Sequence, residues 1–70
     1  MITIGSQVRY YSLAAPSIPR VAIVTETSTE NPDLPVETVA LCVLNPSDVT
    51  IVTRAERSDV PAPGCWVMLP

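Results

Sequence analysis

Apolar and polar positions alternate along most of this chain in short runs separated by prolines. Ile2-Thr3-Ile4 alternates before Gly5-Ser6 breaks the pattern. Gln7 to Leu13 then reads as a first strand, with Val8 and Tyr10 on one face and Arg9 and Tyr11 on the other. Ala14 to Pro19 carries Pro16 and Pro19 and reads as a loop. Arg20 to Thr27 is a second strand, apolar on both faces at its centre, the pattern of a strand covered on two sides. Ser28 to Pro35 is polar and holds Pro32 and Pro35, so it is the most loop-like segment. Val36 to Leu44 is the strongest strand, and Asn45-Pro46-Ser47-Asp48 suits a type I turn leading as a hairpin into a fourth strand, Val49 to Thr53. Arg54 to Gly64 mixes charge with Pro61 and Pro63 and leaves room for a short helical turn near Arg54–Arg57. Cys65 to Leu69 supplies a short fifth strand.

Five short strands joined by Pro-rich connections in 70 residues predict one β domain over residues 1–70. The expected fold class is all-β: a small five-stranded antiparallel barrel of the SH3-like kind, or a strongly bent sheet. A flat sheet of this size leaves an apolar face in water, so closure or self-association must hide it. A homodimer or higher homo-oligomer is therefore expected.

Composition sharpens this. Apolar residues make up 47% of the chain and charged ones 16%, with Val, Ile and Thr dominant, so the chain is no disordered tail. The longest apolar run, Val39 to Leu44, falls far short of the roughly 20 residues that cross a bilayer, and no membrane partner is expected. Met1 to Gly5 has neither a basic region nor a cleavage site, which predicts a cytosolic protein. Cys42 and Cys65, without an export signal, read as free thiols.

Charge and chemistry exclude more. Four Arg stand against seven acids, for a net charge of −3, which disfavours DNA as a partner. There is no His, so the commonest general base is missing, and two Cys alone cannot close a tetrahedral zinc site. Glu26, Glu30, Glu37, Asp48, Glu56 and Asp59 lie in or beside polar segments, with no spacing that demands a shared catalytic site. Two Gly exclude a phosphate-cradling glycine loop. The chain is expected to be no enzyme and to need neither metal nor cofactor.

Binding rests on the aromatics. The chain has no Phe, so Tyr10, Tyr11 and Trp66 are its only large rings. Such rings offer flat faces on which a base stacks for about 1–3 kcal/mol. From composition alone, interior or interface packing with a polar tip left wet is the more ordinary use of such rings. Arg9 and Arg20 flank Tyr10 and the second strand and could approach one pocket, where guanidinium grips phosphate well. A one-residue slip of the strand would exchange Tyr10 and Tyr11 between faces.

The order of features adds a resemblance. Gly5 with Val8-Arg9-Tyr10, then Arg20-Val21-Ala22-Ile23-Val24, then Val39 to Leu44, then Pro63-Gly64-Cys65-Trp66, together resemble a large group of very small phage proteins. Within it the chain looks like the fourth class of anti-CBASS proteins, which act as nucleotide sponges. The resemblance implies a compact, oligomeric β fold in the cytoplasm of the infected bacterial host. It implies sequestration, without cleavage, of cyclic dinucleotides such as 3′,3′-cyclic GMP–AMP, so that the host's defence effectors stay inactive. The base-stacking aromatics would fall on Tyr10 and Trp66. The chain departs from the pattern after Trp66, where Val67-Met68 replace a His and a second aromatic. The alternative from another class is a phage structural or protein-interaction module, decorating a virion or docking on a host protein, with the same rings as interface anchors.

Overall fold

The computed structural model describes residues 2–69. They form five strands: β1 (Gln7–Tyr11), β2 (Arg20–Glu26), β3 (Val39–Leu44), β4 (Val49–Arg57) and β5 (Cys65–Met68). The sheet closes into a barrel in chain order. β5 returns to β1 antiparallel and meets β4 parallel, the one departure from an all-antiparallel scheme. The fold is thus all-β, with no helix among the described residues.

Side-chain alternation builds the interior. Val8 and Tyr10, Ala22 and Val24, and Val39, Leu41 and Val43 point inward from β1, β2 and β3, joined by Ala55 and Trp66. Ile2 and Val52 pack against this cluster. Small inward residues leave a tight barrel with space for two large rings, Trp66, fully buried, and Tyr10.

The structure corrects several local expectations. β2 is covered on one side only: Ala22 and Val24 are buried, whereas Val21 is exposed on the outer face. β3 begins at Val39, not Val36, because Glu37 takes a left-handed backbone with φ of 67° and Val36 is left exposed in the preceding loop. Such a conformation cannot continue a strand. No helical turn forms at Arg54–Arg57; β4 runs on through these residues. A register shift opposite β3 between Val39/Ala55 and Leu41/Val52 lets the strand bend as it does so. Cys42 and Cys65 are both free and half-buried.

Two turns depend on glycine. Gly5 (φ 92°) sits where the chain enters the barrel, and its N–H donates to Val24 O at 2.8 Å. Gly64 (φ 72°) sets up β5, and its N–H donates to Tyr11 O at 2.6 Å. Both need a backbone that L side chains adopt only with strain. The β3–β4 hairpin is locked by Asn45, whose N–H donates to Asp48 O at 2.9 Å while Nδ2 donates to Asp48 Oδ1 and Thr50 Oγ1.

Candidate functional site

Strand register brings three of the five singled-out residues into one row. Tyr10 of β1 lies opposite Arg20 of β2 and, on its other side, opposite Trp66 of β5. Trp66 in turn lies opposite Arg57 of β4. Four adjacent strands therefore carry arginine, tyrosine, tryptophan and arginine side by side. Arg9 belongs to the neighbouring row, opposite Val21 and Val67, and its side chain stands on the outer face. Arg9 and Arg20 do not converge on one pocket, since consecutive rows face opposite ways. Tyr11 lies opposite Cys65, one step beyond Tyr10.

None of the rings is open to solvent within one barrel. Trp66 is 0% exposed, Tyr10 8% and Tyr11 6%. The expectation of free stacking faces on Tyr10 and Trp66 is corrected accordingly: a chain without Phe, whose inward positions are mostly Val and Ala, has only these rings to fill its interior. The alternative of interior packing describes how they sit in the isolated protomer.

What covers Trp66 is informative. Its Nε1 donates to the backbone oxygen of Glu37 at 2.9 Å. The Arg57 guanidinium lies over the indole, 5.8 Å from its centroid, and Nη1 donates to Glu37 Oε1 at 2.8 Å. Glu37 thus holds both the ring and its roof, one through its carbonyl and the other through its carboxylate. The Arg57 and Glu37 side chains are 33% and 55% exposed, so their ion pair faces solvent.

Trp66 forms part of the lining of a cleft of about 550 Å³. Thr3, Thr27, Ser28, Thr29 and Thr38 supply hydroxyls around it, and Ile2, Val36 and Met68 supply apolar wall. Glu30, Glu37 and Arg57 are its charged groups. A volume of that size lies within the range, roughly 300–1,000 Å³, of small-molecule sites.

One wall is a built turn. Thr27 N–H and Oγ1 both donate to Glu30 Oε1, at 2.9 and 2.6 Å, and Thr29 N–H donates to Thr27 Oγ1. This Thr-x-x-Glu arrangement satisfies the turn's donors as a capping box does. The Thr27 hydroxyl, then its N–H, hold the Glu30 carboxyl below the ordinary glutamate range. Because the folded-state value is depressed, this contribution is complete above the ordinary glutamate range and is lost as acidification protonates the folded carboxylate. Acid titration followed by circular dichroism should show the wild type losing stability through that interval, and Glu30→Gln should flatten the slope.

Sequence reasoning missed Arg57 and Glu37 as members of the site. It also passed over the one signal that the chain carries for the wall, the Thr-x-x-Glu spacing of Thr27 and Glu30. No group of three His, Cys, Asp or Glu among the described residues is placed to hold a metal ion. In comparisons with known proteins, no family model matches the chain, and no curated protein or solved structure matches it significantly.

Proposed function

We propose that this barrel is a non-catalytic binding protein that sequesters a cyclic dinucleotide, of the class of 3′,3′-cyclic GMP–AMP, with a base stacked on Trp66 in place of the Arg57 guanidinium. The observation that carries the reading is the roof itself: the partly exposed Arg57 guanidinium lies over the indole, and both residues line a cleft of ligand size.

The energies favour the exchange. Releasing a solvent-facing ion pair costs about 0–1 kcal/mol, and an exposed cation–π contact contributes roughly 0.5–1 kcal/mol. A base stacked on the vacated face returns about 1–3 kcal/mol. The freed guanidinium then meets a phosphate, a charge-assisted contact of about 1.5–3 kcal/mol. The cleft hydroxyls supply hydrogen bonds to base edges and the remaining phosphate. Glu30 and Glu37 make the rim acidic, which opposes long polyanions and also acts against the two phosphates of the ligand, so the freed Arg57 must carry their recognition. Nothing in this scheme breaks a bond, so the ligand is held intact. If protomers associate, a twofold ligand also suits a twofold assembly in which each copy offers the same groups.

The test is retention. Protein mixed with 3′,3′-cyclic GMP–AMP and washed on a filter should hold the nucleotide and give it back intact, by mass, after heat denaturation. Failure to retain any member of a cyclic dinucleotide panel at micromolar concentration removes the proposal.

A further inference from the structure

The barrel closes through a narrow contact. Only Glu56 and Arg57 of β4 pair with β5, opposite Cys65 and Trp66. The first part of β4, from Val49 to Arg54, has β3 on one side and, among the described residues, no strand on the other. In an antiparallel pair, successive residues direct their backbone groups alternately toward and away from the partner strand. The Asn45 N–H bond to Asp48 O fixes that alternation in the β3–β4 hairpin. Thr50 and Val52 therefore face β3, while Val49 and Ile51 turn their N–H and C=O groups to the open edge.

This edge lacks the usual protections. Proline, lysine and any charge are absent from Val49 to Thr53, and Val49 and Ile51 are 57% and 65% exposed. Soluble proteins blunt such edges, or pair them. The flanking outer face is apolar too, since Leu44 lies opposite Val49 and Cys42 opposite Ile51.

We infer that β4 pairs antiparallel with β4 of a second copy of this chain, about a twofold axis at Ile51, giving one continuous sheet across a homodimer. Charge complementarity selects both the occupant and the register. Asp48 stands three residues before Ile51 and Arg54 three residues after it. An antiparallel copy centred on Ile51 brings Asp48 of each protomer level with Arg54 of the partner subunit, which sits in the β4 bulge between Val52 and Ala55, twice per dimer. A parallel copy would oppose like charges, and a slip of two residues would break both pairs. Arg54 is available for this role, because the ion pair among the described residues joins Arg57 to Glu37. The arrangement is isologous and closes on itself, so it stops at two copies. It also lies at the opposite end of β4 from Arg57 and does not depend on nucleotide binding.

Sedimentation equilibrium without nucleotide tests it. Wild type at about 100 µM, a concentration that populates any dimer of low-micromolar Kd, should sediment at twice the 7.5 kDa chain mass. Ile51→Pro removes an N–H that β3 does not use, so it should give a folded monomer by circular dichroism. Asp48→Arg and Arg54→Asp should each weaken the dimer by roughly tenfold or more, and the double reversal should restore it. A wild-type monomer at that concentration, or a dimer insensitive to each single reversal, overturns the inference.

Discussion

Trp66→Ala should destabilise the barrel severely. Trp66 is completely buried, packs against the inward residues of the barrel, and satisfies Glu37 O through Nε1. Truncating a buried Trp to Ala costs about 3–5 kcal/mol through lost burial and the cavity left behind. A 70-residue domain has a total stability on the order of 4–10 kcal/mol, so one substitution removes between a third and all of it. Leaving Glu37 O without its donor adds to the loss. Loss of sheet signal in circular dichroism and a collapsed urea midpoint are the expected readouts. A cooperative transition within 1 kcal/mol of wild type, by order of magnitude, would mean the ring is not interior filler. Trp66→Ala therefore cannot serve as a clean binding-site knockout; Trp66→Phe, which keeps a ring and drops the Nε1 donor, is the better probe of stacking.

Arg57→Glu should separate binding from folding. Arg57 is partly exposed, and its ion pair with Glu37 is worth little to stability, so the barrel should keep its fold. Cyclic dinucleotide affinity should fall about a hundredfold, the scale of one charge-assisted hydrogen bond of roughly 1.5–3 kcal/mol replaced by repulsion. Arg57→Lys keeps the charge but not the planar fork, and should fall between the two. Isothermal titration of the three proteins checks the ranking. Equal affinities would detach Arg57 from the site.

The strands were legible in the sequence wherever one face is buried. Val8/Tyr10 bracket exposed Arg9, while Ala22/Val24 and Leu41/Val43 bracket the half-buried Ile23 and Cys42, and prolines mark the connections between the runs. The misreadings have physical causes. The end of β4 exposes Arg54, Glu56 and Arg57 around a single buried Ala55, so no apolar period announces a strand there. Val36 looks like the start of β3, but the left-handed Glu37 that follows is a tertiary arrangement held through Trp66 and Arg57. The row of Arg20, Tyr10, Trp66 and Arg57 depends on register between strands far apart in the chain, which composition and periodicity do not encode. Burial of the rings follows from the shortage of other large inward residues, and the lack of Phe was its visible sign.

The chain has one tryptophan, so its emission reports on the proposed stacking site alone. Titrating 3′,3′-cyclic GMP–AMP into the folded protein should quench that emission saturably, with a matching stoichiometry of retained nucleotide, as a base replaces the Arg57 guanidinium on the indole. Emission that stays blue-shifted and unchanged, while the nucleotide dialyses away, would contradict the account.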